Sequence, residues 1–473
     1  MTTEFVIQAR KAWQWRSFPL NNRTASDIFA ALFLDEPIAT LLESPGAISD
    51  LEQARLSRFS ICAGSPRIRS GKSQLWTPQT GEILSFLRSL LKQGQSGSVV
   101  DCDRVSHLPF TGGWLGWLGY DLAWEIEQLP ERNQDTLPFP VAYWYEPECF
   151  AVLDRSAQKL WLAADNDSQL DSLKSKLDRY TVETFVPQVS ATSEITFLTS
   201  QEQYQNAVFQ AKQYIKAGDI FQTNLSLRFK TTTTKNSWSI YQQLQKINPS
   251  PFASYWRSPW GHVISCSPER LVQLEGNLAQ TRPIAGTRRR GVDSNSDRAL
   301  ATELLEDRKE KAEHIMLVDL ERNDLGRVCE WGSVEVDELL VIERYSHVMH
   351  LVSNVKGTLK SDRDAIDLIR AVFPGGTITG CPKVRCMEII EELEPVRRSL
   401  FYGSCGYLDR RGNLDLNILI RTLLYVKSAV NTAEVYGQVG AGIVADSDPA
   451  KEWQESLNKA EAQIAALKFN LPT

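Results

Sequence analysis

The sequence predicts a mixed α/β (α+β) fold of enzyme type, on three observations. Its 473 residues can bury a sizeable core and are long for one compact unit. Helical stripes carrying their own start and stop residues occur beside runs of polar and apolar alternation, so both element types recur. Acids outnumber bases 58 to 52, for a formal charge of −6 without a long run of either sign. That balance argues against a nucleic-acid partner. No segment reaches the roughly 18 apolar residues of a membrane helix, and the opening MTTEFVIQARKAWQWRSF lacks a continuous apolar stretch. The expectation is a soluble, cytoplasmic protein with no membrane or nucleic-acid contact.

Eight scattered cysteines read as small buried hydrophobes in a reducing compartment, and five histidines are too few for a histidine-rich metal centre. In chain order, GGWLGWLGYDL (112–122) is a glycine-rich buried segment and LWLAA (160–164) a strand end. The polar stretch from Asp165 to Ser193 carries a helical pattern and then VPQVSATSE, the best place for a linker.

Ser200 to Gly218 is a helix: Ser200 and Gln203 form a capping box, Tyr204, Ala207, Val208, Ala211 and Ile215 share a stripe, and Gly218 ends it. FQTNLSLRF follows as a strand, with Phe221, Thr223, Leu225, Leu227 and Phe229 on one face and Gln222, Asn224, Ser226 and Arg228 on the other. After a turn at NPSPF, HVISCS and RLVQL read as strands. One helix runs through ALATELLEDRKEKAEHIMLVDL, and another begins at Ser447 or Asp448 with Pro449 in its first turn.

The chemistry gathers around TRPIAGTRRRG (Thr281 to Gly291), where Ala285, Gly286 and Thr287 form a turn suited to a small anion or a solvated loop. Glu310 with Glu313, and Glu452 with Glu455, stand three apart on separate helices; converging, they suit Mg²⁺, and singly each suits a solvated face. Arg421 fits a substrate carboxylate or a core ion pair. Gly440, Ala441 and Gly442 offer amides to a second carboxylate, or make a tight hairpin. FPGGTITGCPK places Thr377, Thr379 and Lys383 at a helix start, a ready anion site. Glu269, after a strand and a proline, acts as a general acid if burial raises its pKa.

Taken in order, SPER, RPIAGT, KAEHIMLVDLERNDLGRV, YSHVMHLVS, FPGGTITGCPKVRCMEIIEELEP, IRT and GAGIVADSDP resemble the chorismate-utilising enzymes. LLES at 41–44 and GYDL at 119–122 extend the likeness to the component I subunits of anthranilate and aminodeoxychorismate synthases. The resemblance implies large antiparallel sheets packed together and flanked by helices, with an N-terminal component I region over 1–185 and a chorismate-binding catalytic region over 195–467. It implies that Glu313 and Glu455, supported by Glu310 and Glu452, bind Mg²⁺. Glu269 is then the acid that protonates the departing C4 hydroxyl, and Gly286, Thr287, Thr377, Tyr407, Arg421, Gly440, Ala441 and Gly442 hold chorismate with His350 close by.

Water-adding members carry a lysine base where this chain has Gln222, so the resemblance implies ammonia as nucleophile and a glutamine amidotransferase partner. Aminodeoxychorismate synthases commonly carry a lysine at position 285; Ala285 is the anthranilate-synthase-like residue. QTNLSLRF, NPSPFASY, CSPER and GSCGYLD nevertheless match aminodeoxychorismate synthases. The expected product is 4-amino-4-deoxychorismate, for p-aminobenzoate and folate, with anthranilate the alternative. A catalytically silent relative is the reading of another class, against which Glu269, Glu313, Glu455 and Arg421 stand. Leu42, Glu43 and Ser44, with Asn248, Pro249 and Phe252, resemble a tryptophan pocket, although PFASY departs from the feedback-regulated pattern.

Overall fold

The structure, a computed structural model, describes residues 13–45, 57–95, 102–181, 192–345, 348–429 and 431–468. Part of the expected linker, 182–191, lies outside them. Two large sheets dominate, one of 12 strands and one of 10, and every strand pair described is antiparallel. The fold class expected from sequence is therefore the one observed.

Residues on either side of the linker share both sheets. In the larger sheet Ala39–Glu43 pairs with Phe252–Ser258, joining strands from before residue 165 to Gly261–Ser267, Thr422–Ala429, Thr432–Ile443 and Gln222–Thr233. In the smaller one Gly113–Leu118 pairs with Ser404–Asp409. Residues 112–122 are buried as expected: Gly113–Leu118 is a strand whose Trp114 and Trp117 are fully buried, and Tyr120–Leu122 is a short 3-10 helix. The remaining strands of the smaller sheet run through Arg270–Glu275 to Val348–Thr358 and the edge strand Ile284–Arg289.

Local signals behave as their chemistry dictates. Helix Gln201–Ala217 starts at the Ser200 capping box and ends at Gly218, whose φ of 84° a side chain would resist. The C-terminal helix Pro449–Lys468 is capped by Asp448, which accepts from the amides of Ala450 and Lys451 at 3.0 Å. Two expectations are corrected. The single helix expected across residues 299–320 is two, Ser294–Glu306 and Arg308–Gly326, because the Asp307 carboxylate accepts from the Lys309 and Glu310 amides and starts a second helix. Phe221 lies before its strand and is 69% exposed, whereas Gln222 to Arg228 are buried on both faces. No helix among the described residues is long and apolar enough to cross a membrane.

Candidate active site

A cavity of about 1030 Å³ opens where strands Gln222–Thr233 and Thr432–Ile443 of the larger sheet meet strand Ile284–Arg289 of the smaller one and helices Arg308–Gly326 and Pro449–Lys468. Of the residues that the family resemblance assigns to catalysis, substrate or metal, all but Tyr407 and Ala441 lie on its wall.

The segment expected as an anion-binding turn or a solvated loop is an edge strand with a bulge between Ala285 and Thr287. Gly286 occupies the bulge at φ 58°, and a Cβ there would sit 2.7 Å from Leu304 Cδ1 and 3.0 Å from Glu310 Oε2. Glycine thus brings the backbone against the helix that carries the glutamates. Thr287 Oγ1 lies 3.1 Å from His350 Nδ1. Burial lowers His350 to about 4, so its ring is neutral at pH 7. Arg289 is solvated, while Arg288 pairs with Glu303 and Asp307.

Glu269 sits in the link between Gly261–Ser267 of one sheet and Arg270–Glu275 of the other, its carbonyl accepting from the Ile418 amide at 3.0 Å. Burial, with Glu321 nearby, pushes its carboxyl up to about 8, against the pull of the facing Thr377 hydroxyl. It is protonated at neutral pH and faces the cavity, as a general acid must be.

The glutamate pairs face each other. Burial and then the charges of Glu310, Glu455 and Glu452 raise Glu313 to about 7, against the pull of Lys309. Glu313 Oε1 is buried without a hydrogen-bond partner among the described residues, Lys309 Nζ standing 3.7 Å away. Burial also raises Glu452, whereas Lys459, 2.8 Å from Glu455, holds that carboxylate down against burial. Four carboxylates gathered on two facing helices, with Glu313 and Glu452 raised in part by their neighbours' charge, suit a divalent cation such as Mg²⁺, with substrate and water completing the shell. Among the described residues no three side chains already converge at metal distance.

Arg421, at φ 51°, donates from Nη1 to the Lys459 carbonyl at 3.1 Å; among the described residues no carboxylate lies within ion-pair distance of it, which favours the substrate carboxylate over a core ion pair. The Gly440 to Gly442 run is not a hairpin but the last part of strand Thr432–Ile443. Asn224 pairs with Gly442 and Ser226 with Gly440, which clears the space above the polar strand face. Ala441 pairs with Leu225 and points into the apolar core, so its side chain is not on the wall. Thr379 is fully buried off the wall, and Lys383 is neither anion ligand nor surface residue: its Nζ donates to Asp324 Oδ2 at 2.6 Å and to the Val372 carbonyl at 3.0 Å. Asn224, Tyr402 and Gln438 also line the cavity and were not singled out from sequence. The alternation of FQTNLSLRF held the signal for Asn224.

Tyr407 lines a second cavity, of about 120 Å³, together with Leu42, Glu43 and Phe252. There Arg270 grips Asp415 through two 2.9 Å bonds, and the Glu43 carboxylate accepts from Tyr241, Gln245 and Ser26. Ser44 and Pro249 are on neither wall, and Asn248 lines the large cavity instead.

The fold and this wall define a chorismate-handling class. The chain belongs to the chorismate binding enzyme family, whose model matches residues 60–465. It is similar to an anthranilate synthase component I-like protein of Synechocystis sp. (62% identity; 96% of this chain, 92% of that one). It is also similar to the same organism's anthranilate synthase component 1 (43%; 76% and 77%) and to aminodeoxychorismate synthase component 1 of Bacillus subtilis (42%; 89% and 91%). Among solved structures, anthranilate synthase component I from Streptococcus pneumoniae matches with a TM-score of 0.73 at 32% identity, over 88% of this chain and 94% of that one. The protein is thus an enzyme acting on chorismate.

Proposed function

We propose that the chain is the chorismate-aminating component of an aminodeoxychorismate synthase, forming 4-amino-4-deoxychorismate with ammonia from a glutamine amidotransferase partner. The observation that carries amination is the neutral amide of Gln222 on the wall, which cannot deprotonate water. Glu269 delivers a proton to the departing C4 hydroxyl while Arg421 and the Gly440 and Gly442 amides hold carboxylates. Glu313 and Glu455, supported by Glu310 and Glu452, hold Mg²⁺, which when bound offsets the negative charge of the substrate. A preference for the C4 amine draws support from Synechocystis, where a protein 62% identical to this chain exists beside a separate anthranilate synthase component 1. Ala285, which brings no nucleophile to the wall, favours a second reading, anthranilate formation. The second cavity is our candidate for a tryptophan site. Chromatography of the products from chorismate, Mg²⁺ and ammonium, with and without an aminodeoxychorismate lyase, tests the assignment: p-aminobenzoate appears only with the lyase, and anthranilate alone would establish the second reading.

A further inference from the structure

We propose that Gln222 Oε1 and Asn224 Oδ1 form the subsite that receives ammonia, an inference that rests on the amination reading. The two residues stand two apart on one strand, so their side chains leave the same face roughly 7 Å apart along it. Both line the large cavity, at 6% and 9% exposure, and neither oxygen has a hydrogen-bond partner among the described residues. A buried acceptor without a donor is costly, and a pair of them on one wall marks a place for a donor ligand. Gln438, another amide on the wall, is by contrast engaged at both ends: Nε2 donates to Ser226 Oγ at 2.7 Å and Oε1 accepts from Arg228 Nε at 2.9 Å. The strand opposite leaves the pair room, because Asn224 pairs with Gly442, where a Cβ would lie 2.5 Å from Gln222 Nε2.

The pair offers acceptors without formal charge. The carboxylates of chorismate offer no donor and are repelled by such oxygens. Ammonia donates N–H groups to such oxygens and keeps its lone pair free. A carboxylate in either place would favour ammonium, whose lone pair is already taken by a proton, so neutral oxygens favour the nucleophilic form. In the step that follows, the nitrogen lone pair forms the new C–N bond at C2, the ring double bond shifts, and the C4–O bond breaks. The oxygen leaves with that electron pair and the Glu269 proton as water, and the new ammonium group returns one proton to Glu269. A second ammonia then adds at C4 by the reverse shift: the C2 amine takes the Glu269 proton and departs as ammonia with its bonding pair, the ring double bond moves back, and the C4 ammonium group returns one proton to Glu269, leaving the C4 amine.

The test uses the full chain with chorismate, Mg²⁺ and ammonium chloride, varying each substrate in turn. Gln222→Met and Asn224→Leu keep side-chain volume and remove the acceptor. Each raises the KM for ammonium about tenfold or more while the KM for chorismate stays within about twofold. Asn224→Asp is the second variant: its anionic oxygen holds ammonium, so saturation comes at lower ammonium while kcat falls. Unchanged ammonium saturation in all three, or a loss confined to the chorismate KM, overturns the subsite and leaves amination standing. Absence of any aminated product from the unmodified chain would instead overturn the amination reading.

Discussion

Replacing Glu269 by Gln separates the cost of the acid from its use. The carboxyl is wholly buried and raised from 4.5 to about 8. At pH 7 the unfolded chain releases this proton and the folded chain retains it, so folding is opposed. Each pH unit above 4.5 adds about 1.4 kcal/mol, which gives about 3 kcal/mol at pH 7 and a plateau above pH 8. The sign is fixed: the penalty is absent below the unfolded pKa and grows as pH rises to the folded one. Glu269→Gln removes the ionisation without changing the shape, so the variant is the more stable protein, by about 3 °C in Tm at pH 7 for a chain of this size, and by less at pH 6. Its turnover falls about 10²- to 10⁴-fold, the usual contribution of a positioned acid. The parent enzyme loses kcat/KM above about pH 8, tenfold per unit, and the residual activity of the variant lacks that limb. Differential scanning calorimetry at pH 6, 7 and 8, paired with product assays, checks both halves. A variant less stable at every pH, or one that keeps the alkaline limb, refutes the reasoning.

Glu313→Ala and Glu455→Ala abolish turnover with Mg²⁺ present, and chelation does the same to the parent; near-normal activity in either variant removes the metal assignment. Arg421→Lys loses the bidentate fork and raises the KM for chorismate about 10- to 100-fold, read by initial rates with kcat followed alongside. Gly286→Ala forces a side chain into positive φ against Leu304 and Glu310, and its turnover falls at least tenfold while circular dichroism stays near that of the parent. Tryptophan raises the Tm of the parent, and Arg270→Met, which breaks the Asp415 grip in the second cavity, cancels that shift; a shift that survives the substitution places tryptophan elsewhere.

Where the chemistry is local, the sequence was legible. Ser200, Gln203 and Gly218 define a helix within their own few residues, and the structure follows them. The break at Asp307 was missed because the apolar stripe runs through it, although an aspartate two and three residues before free amides is itself a start signal. What could not be read was register. Whether Ala441 or its glycine neighbours face the substrate depends on pairing Leu225 with Ala441 across more than 200 residues, and a slip of one would reverse it. The family resemblance assigns Tyr407 to chorismate, whereas its strand, Ser404–Asp409, delivers it to the second cavity. The cross-chain convergence of the glutamates, Arg421 and Glu269 was legible only through the order of motifs.

The most direct test is the fate of chorismate itself. The full chain, incubated with chorismate, Mg²⁺ and excess ammonium at mildly alkaline pH, is expected to yield a product that an aminodeoxychorismate lyase converts to p-aminobenzoate. Fluorescent anthranilate without lyase-dependent p-aminobenzoate would contradict the account and show that Ala285 decides the product.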